Sequence, residues 1–312
     1  MSDKQYFKGI GFALISLFLI SFQPIVALAR PKVLDFYLFA AMTCIFIALF
    51  MLPLVLVETH RLNQQIRNDI SKSKENKLLL SGWKSHKQLF LFLGINFSIA
   101  QILFFLAYEY AGAINGSLAQ QTMIIFGLIF GFLINHEKVS KTQILFSFIL
   151  LFGLTFAITQ GSLNLIEFNL GVGLMIITVA LWMIAHSITR PILDKEEITP
   201  TQVVFIRNAI SGTILFSTYF LFFPLSNIHL LFDPINLFFF IAIGFFYAFD
   251  VLYWYRSIQK IEVSIASIII SPMPLLVALF AYIFLGEIFT IYHLIGTIIV
   301  IGSIIVIVRK KG

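Results

Sequence analysis

Residues 142–158 read TQILFSFILLFGLTFAI. The apolar residues follow one another without the polar–apolar alternation that is typical of a membrane barrel strand. An α-helix and a closed β-barrel are the two structures that satisfy their own backbone polar groups across a bilayer. A helix needs about 20 mostly apolar residues to cross a hydrocarbon layer of about 30 Å. The run therefore predicts a membrane-spanning helix.

The composition of the whole chain agrees with that run. Of 312 residues, 59% are hydrophobic and 12% are charged, and the mean hydropathy is +0.97. Soluble domains have about 25% charged residues, so these values exclude a soluble enzyme, a disordered chain and a nucleic-acid-binding protein. Cys44 is the single cysteine, which excludes an intramolecular disulfide and a cysteine-based zinc site.

Ten apolar runs of similar length occur along the chain, separated by clusters of turn-forming or charged residues. Arg30-Pro31-Lys32 and Asp233-Pro234 are two of these separators. We therefore predict an all-α polytopic membrane protein with ten transmembrane helices, at residues 9–28, 36–57, 89–108, 113–134, 142–158, 170–189, 202–222, 235–255, 263–285 and 291–308.

Basic residues indicate the orientation, because Lys and Arg are concentrated in cytoplasmic loops. If the N-terminus is cytoplasmic and the spans alternate, Arg30 and Lys32 lie outside and Arg207 lies within a span. Two basic residues outside against 18 inside is the distribution expected of this orientation, so we predict that both termini are cytoplasmic. The other 18 of the 21 Lys and Arg then lie on the cytoplasmic side: Lys4, Lys8, Arg61, Arg67, Lys72, Lys74, Lys77, Lys84, Lys87, Lys138, Lys141, Arg190, Lys195, Arg256, Lys260, Arg309, Lys310 and Lys311.

The second half of the chain is similar to the first. A shift of 162 residues aligns the pair Gly9 and Gly11 with Gly171 and Gly173. A shift of 150 residues aligns Ser117 with Ser267, Met123 with Met273, Phe130 with Phe280, and Glu137 with Glu287. We predict two five-helix repeats, one at residues 1–160 with a cytoplasmic loop at residues 58–87, the other at residues 161–312.

An odd number of helices per repeat means that the second repeat enters the membrane upside down. Inverted repeats place a ligand site near the bilayer midplane, between the repeats, and support alternating access. This construction is typical of secondary transporters. The sequence has no glycine-rich phosphate-binding loop with a lysine, so we expect neither ATP as the energy source nor a bound cofactor.

Two similar motifs carry a resemblance to a known family. In each, a start rich in small residues leads into an apolar helix that closes with an acidic residue. They run from Ala111-Gly112-Ala113-Ile114-Asn115-Gly116-Ser117 to His136-Glu137, and from Val263-Ser264-Ile265-Ala266-Ser267 to Leu285-Gly286-Glu287. With Pro272, Ala180-Leu181-Trp182 and Arg207, the chain resembles the EamA-like family of the drug/metabolite transporter superfamily over nearly its whole length.

The first copy departs from the family pattern. Thr122 stands where the mid-helix proline belongs, Ile20 replaces the tryptophan, and Ala40-Ala41 lies near the expected arginine. The resemblance implies an integral protein of the inner (cytoplasmic) membrane of a prokaryote. It also implies that the partners are membrane lipid and a small metabolite, often an amino acid or a drug, which is carried outward.

Three ionisable side chains lie inside the predicted spans, where such groups mark a pathway or a partner. Arg207 and Asp250 are about 10 Å and about 9 Å from the cytoplasmic ends of spans seven and eight, and His186 lies near the same end of span six. Arg207 and Asp250 form either a structural ion pair or a pair that lines the pathway and that a substrate or a proton disrupts. His186 is either a packing residue or part of this set.

A second polar layer lies nearer the predicted midplane. Amide and hydroxyl groups at this depth suit a polar metabolite, and aromatic rings can form walls for an apolar or cationic ligand. The predicted substrate-binding residues are Gln120, Gln121, Asn96, Gln101, Ser271, Trp182 and Tyr247.

No catalytic set is recognisable. The six histidines are scattered, with neither the spacing of a zinc protease nor a nucleophile elbow. The sequence therefore predicts a secondary transporter, not an enzyme, that exports a small amphipathic metabolite by alternating access. Uptake of a polar metabolite is one alternative. A lipid scramblase or a membrane-embedded enzyme is an alternative of a different class.

The predicted orientation can be tested with single cysteines on a Cys44→Ser background. We expect an impermeant maleimide to label Asp233→Cys in intact cells, and to label Glu75→Cys only after the cells are permeabilised. Labelling of position 75 in intact cells, without labelling of position 233, would reverse the orientation.

Overall fold

The computed structural model describes residues 3–68, 73–136, 138–163, 169–258, 260–261, 266 and 269–309. In these ranges the chain is helical and contains no strand. A short 3-10 helix, Leu225–Leu231, joins two of the helices. The α-helices are α1 (Asp3–Ala29), α2 (Phe36–Asn68), α3 (Ser73–Ser85), α4 (Lys87–Gln120), α5 (Met123–Asn135), α6 (Lys141–Ile158), α7 (Leu170–Asp194), α8 (Pro200–Phe222), α9 (Pro234–Ile258), α10 (Met273–Leu285) and α11 (Ile291–Arg309).

Helix length and composition identify seven candidate membrane spans, located in α1, α2, α4, α6, α7, α8 and α9. The shorter apolar helices are α5, α10 and the described part of α11. Every predicted span overlaps at least one of these helices, which confirms the all-helical membrane fold. Ten crossings and the cytoplasmic placement of both termini stay predictions.

The chain forms two compact units. Unit 1 takes its residues from Met1–Arg30, Leu103–Ser187 and Phe249–Gly312, and unit 2 from Pro31–Ile102 and Ile188–Ala248. Unit 2 therefore contains the predicted span two with its counterpart seven, and most of span three with its counterpart eight; residues 103–108 and 249–255 of those two spans belong to unit 1. Unit 1 contains spans one, four and five with their counterparts six, nine and ten. Each unit thus draws equivalent helices from both halves of the sequence.

Unit 2 is built around the packing of α2 along α8. Gly212 on α8 lies against the backbone of Cys44 and Ile45, and Gly244 on α9 lies against Phe46. The Ser211 hydroxyl donates a hydrogen bond of 2.8 Å to the carbonyl of Gly94 on α4. Small residues at these positions allow the helix backbones to approach closely, as is typical of membrane helices.

Unit 1 is built around the packing of α6 along α11, which are the last helices of the two halves. Gly153 on α6 lies against Ile299 and the backbone of Gly296, so the two helices meet at a glycine on each side. In the same unit α1 packs along α10, where the ring of Phe22 stacks on that of Phe280 with centroids 4.2 Å apart.

Residues 113–134, predicted as one helix, are interrupted at Gln121 and Thr122. Thr122 has φ −60° and ψ −11°, and its counterpart Pro272, just before α10, has φ −71° and ψ 0°. Both turns make the same hydrogen bond, from the N–H three residues later to the carbonyl, at 3.0 Å from Ile125 and 2.9 Å from Leu275. The break is therefore kept in the copy that lacks the proline.

A second interruption lies inside α4, where Gly112 has φ 77° and ψ 173°. The Glu287 carboxylate accepts hydrogen bonds from the N–H of Ala113, at 2.7 Å, and from that of Ile114, at 3.1 Å. A carboxylate at a helix N-terminus satisfies donors that lack intrahelical partners. The second of the two predicted motif acids therefore caps the helix start of the first motif. The first acid, Glu137, lies outside the described residues.

The two glycine pairs that the repeat aligns, Gly9 with Gly11 and Gly171 with Gly173, have equivalent surroundings. A Cβ at Gly171 would collide with the backbone of Ala107 and Ala111, and a Cβ at Gly9 would collide with the side chain of Ile261. Ile261 is the counterpart of Ala111 at a shift of 150 residues. Gly11 and Gly173, the second members of the pairs, have no atom within 4 Å of a built Cβ. Gly9 of the first half therefore packs against a residue of the second half, and Gly171 of the second half packs against the equivalent residue of the first half.

We expect Gly171→Ala to lower the melting temperature of the purified protein, because overpacking costs about 1–3 kcal/mol. Gly173→Ala is the matched control, two residues away on the same helix, and should leave the melting temperature unchanged. Equal melting temperatures for the two variants would contradict the close helix approach at Gly171.

Candidate substrate-binding site

In unit 2 Arg207 is 5% exposed on α8. Its guanidinium carbon lies 3.9 Å from the ring centroid of Phe97 on α4. Stacking on an aromatic face stabilises a guanidinium away from water and leaves its N–H groups directed sideways from the stack. The predicted intramembrane arginine is therefore held against an aromatic ring.

Two predicted amides lie on α4, on either side of Phe97 in sequence. Asn96 is 6% exposed and Gln101 is 3% exposed. In the described part of the chain, Asn96 Oδ1 and Gln101 Nε2 are buried without a hydrogen-bond partner. A buried polar atom without a partner costs about 1–3 kcal/mol, so each such atom calls for an explanation, such as a bound water, an ion or a ligand. The region presents an acceptor from Asn96 and a donor from Gln101.

Tyr247, the predicted aromatic residue of span eight, is also in unit 2. It is buried on α9. The structure therefore places it inside the protein and not in an exposed ring of interfacial aromatic residues.

In unit 1 the Asp250 carboxylate is 6% exposed. It accepts hydrogen bonds from the hydroxyl of Ser16, at 2.6 Å, and from Nε2 of Gln23, at 3.0 Å. Ser16 and Gln23 lie on α1 and are themselves buried. These hydrogen bonds fix the position of the carboxylate between α9 and α1.

The predicted glutamine pair lies at the end of α4, directly before the Thr122 break. Gln120 Oε1 accepts a hydrogen bond of 2.9 Å from the hydroxyl of Tyr108, and both residues are buried. Gln121 is 2% exposed, and its Nε2 has no partner among the described residues. The neighbouring amides therefore differ, because Gln120 is engaged through its oxygen and Gln121 keeps a buried donor.

The other predicted residues of unit 1 lie on α7 and in the turn before α10. The ring of Trp182 on α7 lies 5.6 Å from that of Phe104 on α4. One turn further along α7, His186 Nδ1 lies 3.2 Å from the hydroxyl of Tyr255 on α9. Trp182 and His186 are both partly exposed, whereas Ser271 is buried in the turn before α10.

The structure thus brings Arg207 against Phe97, the sequence neighbour of Asn96, in unit 2, and brings Trp182 together with the Tyr108–Gln120 pair through Phe104 in unit 1. Arg207 and Asp250 belong to different units, and their pairing stays a prediction. In the described ranges no three His, Cys, Asp or Glu side chains come close enough to hold a metal ion.

Four residues of these groups are not identified by the sequence analysis. They are Ser16, Gln23, Phe97 and Tyr108. A usable signal exists for the first two, since Ser16 and Gln23 are polar, lie in an apolar span and are seven residues apart, which places both on one helix face. Phe97 and Tyr108 give no such signal, because aromatic residues are abundant throughout the chain, with 36 Phe and 10 Tyr.

Comparisons with known proteins agree with this architecture. The model of the EamA-like transporter family matches residues 7–159 and again residues 169–309. A solved structure titled "Crystal structure of protein" is similar with a TM-score of 0.60 and 11% identity, covering 98% of this chain and 96% of that one. At that identity the similarity shows a shared fold alone. No curated protein matches the chain significantly.

Proposed function

The chain belongs to the EamA-like transporter family, and on that basis we propose that it is a secondary transporter that exports a small amphipathic metabolite by alternating access. The proposed cargo is an amino acid or a drug-like molecule. Members of the family are transporters and not enzymes, and the chain is an integral membrane protein with a small-molecule substrate. The proposed location is the inner membrane of a prokaryote.

One observation carries the proposed binding site. Three amides predicted to bind substrate each keep a buried polar atom without a partner among the described residues: Asn96 Oδ1, Gln101 Nε2 and Gln121 Nε2. In an apolar protein interior such atoms are costly, and they are retained where a bound molecule satisfies them. Gln120, Ser271, Trp182 and Tyr247 complete the proposed site as polar and aromatic neighbours.

The division into two compact units supports alternating access. Each unit holds equivalent helices from both repeats, as expected if a repeated fold is to form two bodies. The broken helices at Thr122 and Pro272 supply irregular backbone within apolar segments, which membrane proteins tolerate where the backbone is buried or lines a cavity.

A thermal-stabilisation screen of the purified protein tests the proposed substrate class. The panel consists of the proteinogenic amino acids and a set of amphipathic cations. A ligand at 100 times its dissociation constant stabilises the native state by about 2.7 kcal/mol, so a true substrate should raise the melting temperature measurably. No shift with any compound of either class would contradict the proposed cargo.

We expect Gln121→Met to abolish stabilisation by the compounds that the screen identifies, without lowering the melting temperature of the ligand-free protein. The substitution keeps the length of the side chain and removes a buried unsatisfied donor, whose cost is about 1–3 kcal/mol. Gln101→Met should behave in the same way. The assay is a thermal melt with and without ligand.

Gln120→Met is the matched control for Gln121→Met. It makes the same chemical change one residue away but leaves the buried Tyr108 hydroxyl without its acceptor. We therefore expect it to lower the melting temperature of the ligand-free protein. If Gln121→Met kept the full ligand response, Gln121 would not belong to the site.

Arg207 and Asp250 are proposed to form an ion pair that either stabilises the fold or lines the pathway, with His186 as a third member of the set. Removing one partner of a buried pair leaves an uncompensated charge, at a cost of about 3–5 kcal/mol. Asp250→Asn should preserve the hydrogen bonds to α1, because Gln23 can turn its amide and present its oxygen to the new NH₂ group.

We expect Asp250→Asn to lower the melting temperature and the double variant Arg207→Leu/Asp250→Asn to recover it, measured as a double-mutant cycle. Recovery of ligand response in the double variant would assign the pair to the fold. A stable double variant that no longer responds to ligand would assign it to the pathway. Additive losses would show that the two residues do not pair.

A further inference from the structure

Helix α11 begins with a capping box that contains a histidine. The His293 N–H donates to the Thr290 hydroxyl at 3.3 Å, and in return the Thr290 N–H donates to His293 Nδ1 at 3.1 Å. In the usual form of this motif the third residue of the helix is Glu or Gln. Here an imidazole nitrogen takes the place of the side-chain oxygen.

The counterpart helix, α6, has the usual form. Ser140 and Gln143, which align with Thr290 and His293 at a shift of 150 residues, exchange the same two bonds at 3.2 Å and 2.8 Å. The two repeats therefore start their last helix with the same device, but only the second uses a group that titrates near neutral pH.

The backbone bond fixes the protonation state of His293. A backbone N–H is always a donor, so Nδ1 must be the acceptor and the ring proton must lie on Nε2. Nε2 lies 3.2 Å from Asn115 Oδ1, to which it can donate. Protonation of Nδ1 would replace the acceptor by a donor directed at the Thr290 N–H. A charged ring therefore cannot accept the Thr290 N–H of the capping box, although its Nδ1–H can donate to the Thr290 hydroxyl, 3.2 Å away.

The same histidine joins three helices of unit 1. The side-chain oxygen of Gln160, just after α6, accepts a hydrogen bond of 2.7 Å from the Thr290 hydroxyl, and the amide nitrogen of Gln160 lies 3.0 Å from His293 Nε2. Gln160 is held in the left-handed region at φ 50°, which is uncommon for a residue other than glycine. Asn115 belongs to the helical segment of α4 that Glu287 caps. The His293 ring therefore connects the start of α11 to α4 and to the end of α6.

We propose that His293 is a proton-sensitive cap: acidification releases the start of α11 and loosens its junction with α4 and α6. The next consequence rests on the proposed topology and function. In that topology the junction faces the outside, so the exporter responds to external pH. The cap is intact while the His293 ring is neutral, and it is lost as the pH falls and the ring becomes charged. The Ser140–Gln143 cap at the cytoplasmic end has no such response.

Other ionisable groups near the junction are accounted for within the described residues. Glu287, in the segment that joins α10 to α11, is held by two backbone N–H groups of α4. Glu109 on α4 pairs with Arg30 at 2.7 Å. Tyr110 on α4 and Tyr292 on α11 are the phenol groups of the same helices. Imidazole is the side chain whose ordinary charge change falls between about pH 5 and about pH 8, which singles out His293 in this junction.

Hydrogen–deuterium exchange of the purified wild-type protein tests the proposal directly. Protection of residues 286–294 is compared at pH 7.5 and pH 5.5 after correction for the intrinsic exchange rate. We expect protection to fall about fivefold at the lower pH, the equivalent of one lost helix cap. Unchanged protection in the wild type would overturn the proposal without recourse to any variant.

His293→Gln converts this cap into the chemistry of its counterpart Gln143. Its protection should match the wild type at pH 7.5 and stay constant down to pH 5.5. His229→Gln replaces another histidine, in the 3-10 helix, and should keep the wild-type response. A response that persists in His293→Gln, or that disappears in His229→Gln, would overturn the proposal. The exchange measurement needs neither a substrate nor an oriented membrane. It therefore tests the His293 cap even if the proposed transport function is wrong.

Discussion

Hydrocarbon offers no hydrogen bonds, so every backbone N–H and carbonyl within a membrane must find its partner in the protein itself. The regular parts of this chain meet that constraint as α-helices. Its irregular parts meet it by specific side chains. Glu287 satisfies the N–H groups that follow the Gly112 kink, and the Thr122 hydroxyl donates to the carbonyl of Ala119 at the break before α5. At both interruptions a side chain thus supplies hydrogen bonds that the broken helix does not make.

The buried amides of the proposed site stand apart from this pattern. Asn96, Gln101 and Gln121 each bury a polar atom that no described residue satisfies, although capping and side-chain bonds are made elsewhere. The contrast between Gln120 and Gln121 is the clearest case, because the two neighbours have the same side chain and only the first is engaged by Tyr108. We propose that a transported molecule satisfies these atoms with its own polar groups.

Much of this fold follows from the sequence. The apolar runs and the repeat indicate an all-helical membrane protein of duplicated construction, and the family match confirms both. The sequence indicates only one of the two helix breaks. Pro272 predicts the break before α10, whereas Thr122 gives no signal, because its turn has nearly the same backbone angles as the Pro272 turn but no proline. The motif acid Glu287 is evident as a pattern, but its partners, the N–H groups of Ala113 and Ile114, lie about 170 residues earlier and appear only in the structure.

The candidate site is harder to predict, because a sequence shows which polar residues are inside the membrane but not which are already satisfied. Gln120 and Gln121 are indistinguishable in sequence. Asp250 is visible as an intramembrane charge, while the two residues of α1 that bind it are separated from it by more than 220 positions. Pairing at that distance depends on how the helices assemble, which apolar periodicity does not specify.

Counterflow in proteoliposomes tests the central claim, that the protein carries a small molecule by alternating access. Vesicles are loaded with an unlabelled compound from the stabilisation screen, and the labelled compound is added outside at low concentration. A carrier that exposes one site to each side in turn produces a transient accumulation of label above the equilibrium level. A channel, a scramblase or an inert protein gives a rise to equilibrium without overshoot, or no uptake at all, and either result would contradict the account.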